Sequence, residues 1–207
     1  MSTEPRASTH RSPRLPRDER RAQLLTAALE VFAANGYHGA AMDEIAEAAQ
    51  VSKPVLYQHF PSKRELYLAL LDSHLATLTD LMRAALASTS DNRERVRAVI
   101  HAYYQFIAAD DQAHRLVFQS DLLNDPDVAA RLETFNRGFS EAIAEVIAAD
   151  TNLPLVEAQL LGRALAGMAQ VSARHWLEQS SSLELEVAAD LVTRLAWRGI
   201  SRFPKEA

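Results

Sequence analysis

Residues 36–71 read GYHGAAMDEIAEAAQVSKPVLYQHFPSKRELYLALL, and the order of short and long helical segments within them decides the fold. Asp43 to Gln50 is a short segment with Ile45, Ala46 and Ala49 on one side. Ser52 is a good N-cap for a second short helix, with Pro54 in its first turn, where a missing N–H costs nothing. Phe60-Pro61 ends it. Ser62 then caps a longer helix, and Glu65 three residues on completes an S-x-x-E capping box. Leu66, Leu70, Leu71, Leu75, Leu78, Leu81 and Leu86 carry its apolar stripe to about Ala87.

Two short helices joined by a turn, following a longer one, make the three-helix unit of a helix-turn-helix module, whose second short helix shows one face to the core and the other to the major groove. At about 100° per residue Leu56 and Phe60 form the inner pair, while Pro54 and Gln58 lie opposite, flanked by Lys53, Val55, Tyr57 and His59. Gln58 is suited to reading adenine, Val55 to a thymine methyl, and Lys53, Tyr57 and His59 to phosphate. An ordinary solvated face fits the same periodicity.

Working outward, Asp18 caps a first helix striped by Leu24, Leu25, Ala28, Leu29 and Phe32, and Asn35-Gly36 stops it. Beyond Ser88 the pattern is helix after helix, at roughly 92–109, 112–123, 126–149, 155–179 and 184–203, with polar breaks between and no fixed-period repeat. Only six Gly and eight Pro occur in 207 residues, and no stretch alternates as a strand does, so the chain reads as all-α.

Composition narrows the function classes. The chain has no cysteine, which excludes thiolate metal sites, cysteine nucleophiles and disulfides and fits a reducing, cytoplasmic setting. No apolar run spans a bilayer, and the first 17 residues, with four Arg and three Pro, have no secretory apolar block. No His pair has metal-site spacing, and neither a Gly-rich phosphate loop nor a G-x-S-x-G elbow occurs, so neither metal nor enzyme is expected. Residues 1–64 hold nine Lys and Arg against seven Asp and Glu; the rest hold 13 against 20, giving the net charge of −5. A locally basic end on an acidic body is compatible with nucleic-acid binding at that end, but on charge alone an ordinary solvated surface is the preferred reading.

The quoted segment resembles the signature of TetR-family transcription regulators, G-Y/F, then D/E-I-A, then A-G-V-S-K/R-x-x-L-Y-x-H-F-x-S/N-K-x-x-L, over about residues 17–71. The resemblance implies a homodimer of about nine helices that binds double-stranded operator DNA and carries a variable C-terminal effector domain. Carried over by position, Ser52, Lys53, Pro54, Val55, Tyr57, Gln58 and His59 fall on DNA-reading positions, and Lys63 on the phosphate contact that opens the fourth helix. The expected division is a basic, Pro-rich and disordered arm at 1–16, a helix-turn-helix domain at 17–63, and a ligand-binding and dimerisation domain at 64–207. Two departures stand out. Ala40-Ala41 replace the usual Thr/Ser pair capping the second helix, and Gln50 replaces the usual Gly of the turn, placing a side chain where positive φ is common.

A narrower resemblance extends beyond that domain. LPRDERRAQLL, STSDNRERVRA and VFQSDLLNDPDVAARL are similar to actinobacterial FasR-type regulators of fatty-acid synthesis, which implies a long-chain acyl-CoA as a hydrophobic effector and no cofactor. Tyr103, Phe106, Ile107, Phe118, Leu122, Phe135, Phe139, Ile143, Met168 and Trp176 lie on helices enclosing the interior; such a stripe lines a tunnel or is plain packed core. The helices at 155–179 and 184–203 have more apolar surface than one core needs, which places a dimer interface at Leu160, Ala164, Leu191, Leu195, Ala196 and Gly199. Effector binding is expected to move the fourth helix as a rod and alter the spacing of the two reading helices. A repressor of an efflux or catabolic operon with another effector, and an all-helical protein-binding adaptor, are the alternatives.

Overall fold

The computed structural model describes residues 16–109, 122, 124–179 and 183–200, and among these it forms eight helices and no strand. α1 (Arg17–Gly39), α2 (Met42–Ala48) and α3 (Lys53–His59) are followed by the long α4 (Lys63–Ala87). Then come α5 (Asn92–Ala109), α6 (Pro126–Asp150), α7 (Leu155–Glu178) and α8 (Leu185–Ile200). The helix expected at 112–123 lies outside the described residues except for Leu122.

The local rules act where the sequence places them, with three corrections. Pro16, not Asp18, occupies the N-cap of α1, and Asp18 sits in the first turn, where a carboxylate suits the helix dipole. Gly36 interrupts α1 at φ 67°, so the expected stop is a kink with a further helical turn beyond it. Ser62 caps α4 as expected, accepting from the Glu65 N–H at 3.1 Å. On α4 the buried stripe passes through Met82, while Leu81 points to solvent: from Leu78, a step of four stays closer to the stripe than a step of three.

One continuous apolar core runs from Leu24 of α1 to Ala196 of α8, and α4 is its spine. Near its start Tyr67 sets its ring against Phe32 and Tyr37 of α1, and the helix also packs on α5 and α6 of the helical body. α7 buries small side chains, Ala158, Gly162, Ala166, Ala169 and Ala173, and α6 packs extensively on this flat strip.

Candidate nucleic-acid interface and effector domain

The turn between α2 and α3 is held by backbone and side-chain bonds. Gln50 adopts φ 54°, and its N–H donates to Glu47 O while that of Val51 donates to Ala46 O, both at 2.9 Å. From α1, the Gln23 amide donates to Ala49 O at 2.8 Å. Where a capping hydroxyl is missing, Glu44 compensates by accepting from the Ala41 N–H at 3.0 Å.

α3 shows the two expected faces. Leu56 and Phe60 are fully enclosed, whereas Ser52, Lys53, Pro54, Tyr57 and Gln58 are exposed and Val55 and His59 half-buried. Ser52 takes the N-cap position with its backbone, its carbonyl accepting from Val55 and Leu56, but its side chain makes no capping bond. The Lys53 ammonium pairs with Asp43 across the α2–α3 angle, both side chains in solvent.

Lys63, expected at a phosphate, makes its contacts in the free chain with α1. Its ammonium donates to Tyr37 O and Ala40 O, both at 2.8 Å, and to His38 O at 3.4 Å, and it sits 4.7 Å from the centre of the Tyr37 ring. It therefore holds the carbonyls that the broken end of α1 leaves without helical partners.

The structure also assembles a cluster missing from the sequence expectations. Arg17, Arg20 and Arg21 follow i, i+3, i+4 spacing with Leu24 and so lie on its side of α1, with Asp18 and Glu19 turned away from it. Arg21 stacks its guanidinium 4.3 Å from the Phe60 ring centre. Desolvation, and after it the charges of Arg17, Arg21 and Arg20, depress the His59 pKa, so this imidazole stays neutral at pH 7. The signal was available in the spacing of the arginines relative to Leu24.

The interior residues expected to line a ligand site come together. Tyr103, Phe106, Ile107, Phe135 and Phe139 are buried in the main core, and Leu122, Ile143, Met168 and Trp176 pack half-buried against it. Phe135 and Phe139 stack at 6.2 Å. Tyr104 donates to Ser172 at 3.0 Å and Trp176 to Leu183 O at 2.8 Å. Phe118 lies outside the described residues. Phe135, alone of this set, lines a groove of about 330 Å³ between α4 and α6, together with Leu75, Ala76 and Thr134.

On α7 and α8 the expected interface residues separate. Leu160 is 71% exposed and Leu195 64%, and Ala164, Leu191 and Gly199 are exposed with them. Val156, Val171 and Val187 extend the same apolar surface. Ala196 is the correction: at 3% exposure it faces the protomer's own core, seven residues and two turns from Ala189 on the inner side of α8.

Residues 24–70 match the family model for bacterial regulatory proteins, tetR family, and residues 81–203 that for the tetracyclin repressor-like C-terminal domain. The chain is 44% identical over 200 residues to the HTH-type transcriptional activator FasR of Mycolicibacterium smegmatis, spanning 97% of this chain and 91% of the relative. A TetR-like transcriptional regulator from Rhodococcus sp. RHA1 shares the fold with a TM-score of 0.74 and 28% identity, over 91% of this chain and 100% of that one. The regulator FadR from Bacillus subtilis, solved in complex with stearoyl-CoA, is alike in fold with a TM-score of 0.70 at 19% identity, over 84% and 96% of the two chains.

Proposed function

The chain belongs to the TetR family of transcription regulators, and from that premise we propose that it is a homodimeric operator-binding regulator of fatty-acid synthesis genes, with a long-chain acyl-CoA as its effector. The observation that carries the reading is the 44% identity to an activator named FasR, which continues through the effector domain over 97% of the chain. A protein of the same fold holds stearoyl-CoA, and the aromatic interior around Phe106, Phe135 and Phe139 is chemically suited to an alkyl chain.

The exposed side of α3 supplies the DNA face. Gln58 and Tyr57 project from its middle, Lys53 from its start, and the arginines of α1 flank its end, where they suit phosphates on either side of the groove. The exposed apolar strips of α7 and α8, centred on Leu160 and Leu195, are where a second copy would pack in a four-helix arrangement about a two-fold axis. Two such protomers present their α3 helices to half-sites about 34 Å apart. Effector binding behind α4 alters that separation and so the affinity.

Native mass spectrometry of the full chain purified from its host tests the effector directly. The proposed reading expects a co-purifying acyl-CoA or, after delipidation, one stearoyl-CoA bound per protomer. A delipidated protein that binds no C16–C20 acyl-CoA would overturn the effector assignment.

A further inference from the structure

α4 opens with two adjacent cations, Lys63 and Arg64, at its first and second positions, where the helix dipole disfavours positive charge. Each therefore finds its partners outside α4. Lys63 reaches into the N-terminal unit, binding the carbonyls of Tyr37, His38 and Ala40. Arg64 reaches the other way. Its Nη2 donates to both oxygens of Asp125, at 2.9 and 3.1 Å, and to Asp127 at 2.6 Å.

Asp125 is also the N-cap of α6, accepting from the N–H groups of Asp127 at 2.9 Å and Val128 at 3.3 Å. Desolvation raises the Asp125 carboxyl pKa, but these N–H groups and the Arg64 guanidinium outweigh it and hold it below its ordinary value. The carboxylate thus stays charged and engaged on both sides. Val128 is buried in the core, so the first turn of α6 is fixed behind the cap. Two turns further along α4, Asp72 accepts from Arg131 at 2.7 Å, a second tie in the same direction along both helices. The groove lined by Leu75 and Phe135 begins at this tie.

We propose that Arg64 is the positioning residue that couples the effector domain to the DNA-binding unit, by tying the N-cap of α6 to the same turn of α4 whose Lys63 holds the end of α1. A displacement of the α6 start is then delivered one residue away from the grip on the helix-turn-helix, with no relay of side chains needed between them. The inference rests on the chain being a ligand-responsive regulator. Reciprocity requires that DNA change effector affinity by the same factor as the effector changes DNA affinity, and a coupling that runs through the start of α6 makes DNA binding felt there.

The test is hydrogen exchange on the full-length protein, free and bound to a genomic fragment that it binds, which needs no knowledge of the effector. In the parent, DNA binding should alter amide exchange at residues 125–131. In Arg64→Met that remote change should fall at least threefold while protection of α3 persists, with Arg64→Lys intermediate, since all three contacts come from the one Nη2 and an ammonium on a shorter side chain keeps the charge but not the full reach. Asp127→Asn, which leaves the Asp125 cap in place, should weaken the change without unfolding α6. A parent showing no change at 125–131, or an Arg64→Met protein transmitting it undiminished, overturns the proposal. Operator affinity with and without stearoyl-CoA, measured on the same proteins, separates the two readings: a parent indifferent to stearoyl-CoA that still transmits through Arg64 sinks the lipid assignment alone.

Discussion

Gly162 of α7 lies directly against the backbone carbonyl of Ser140 on α6: a Cβ placed on it would stand 2.4 Å from that oxygen and 3.1 Å from the Ala144 nitrogen. Both neighbours are backbone and cannot step aside without moving α6. Gly162→Ala is therefore expected to destabilise the protein by about 1–3 kcal/mol through overpacking, despite alanine's better helix propensity. A thermal melt checks this, and an unchanged or raised midpoint would show that α6 and α7 can separate at low cost.

Gln50 carries the opposite sign. A non-glycine residue held at φ 54° bears roughly 1–2 kcal/mol of conformational strain, part of which glycine would return as unfolded-chain entropy. Gln50→Gly should stabilise the chain by about 0.5–1 kcal/mol, seen as a higher urea midpoint at constant slope. A lower midpoint would mean that the Gln50 side chain makes a contact outweighing its strain.

The contrast between these two positions shows what the sequence could and could not disclose. Gln50 was legible because a local turn dictates its backbone. So were the inner Leu56 and Phe60 of α3 and the Ser62 cap of α4, each set by residues within four positions of it. Gly162 depends on a helix some twenty residues away, and Lys63 on the broken end of α1, neither of which periodicity reports. Ala196 was misplaced for a related reason. Apolar character alone does not separate the side facing the core from the side facing outward, and α7 buries alanines while it exposes Leu160 and Val171.

On the proposed DNA face, Gln58→Ala should weaken specific binding by about 1–3 kcal/mol and relax preference at one base pair. Arg20→Ala with Arg21→Ala should instead weaken binding to all sequences alike and reduce the slope of log K against log salt, by about 0.9 for each phosphate no longer neutralised. Anisotropy titrations at several salt concentrations distinguish the two classes; an unchanged slope for the double variant would remove the arginines from the interface.

His59 adds a pH dependence. Its pKa is depressed in the free protein, by desolvation and by Arg17, Arg21 and Arg20, so the unfolded chain binds its proton more readily. The stability tied to the neutral imidazole is present above about pH 6.5 and is lost as pH falls through the folded-state value. A phosphate beside His59 acts in the other direction, favouring the imidazolium. Operator affinity should therefore rise as pH is lowered from about 7.5 to 6, and less so in His59→Gln. Equal pH slopes for the two proteins would place His59 away from phosphate.

Leu160→Glu combined with Leu195→Glu, both on the exposed strips, should yield folded monomers that no longer bind an operator, because two half-sites need two protomers. Sedimentation velocity and circular dichroism on the same sample decide it. A dimer that survives both substitutions would locate the interface elsewhere.

Release of operator DNA by stearoyl-CoA bears most directly on the proposed function. A labelled genomic fragment bound by delipidated protein is titrated with stearoyl-CoA, with free coenzyme A and a short-chain acyl-CoA as controls. Stearoyl-CoA should lower operator affinity by about 5- to 150-fold, the usual span of allosteric coupling, while the two controls leave it unchanged. An affinity indifferent to stearoyl-CoA, or lowered equally by free coenzyme A, would contradict a long acyl chain as the effector.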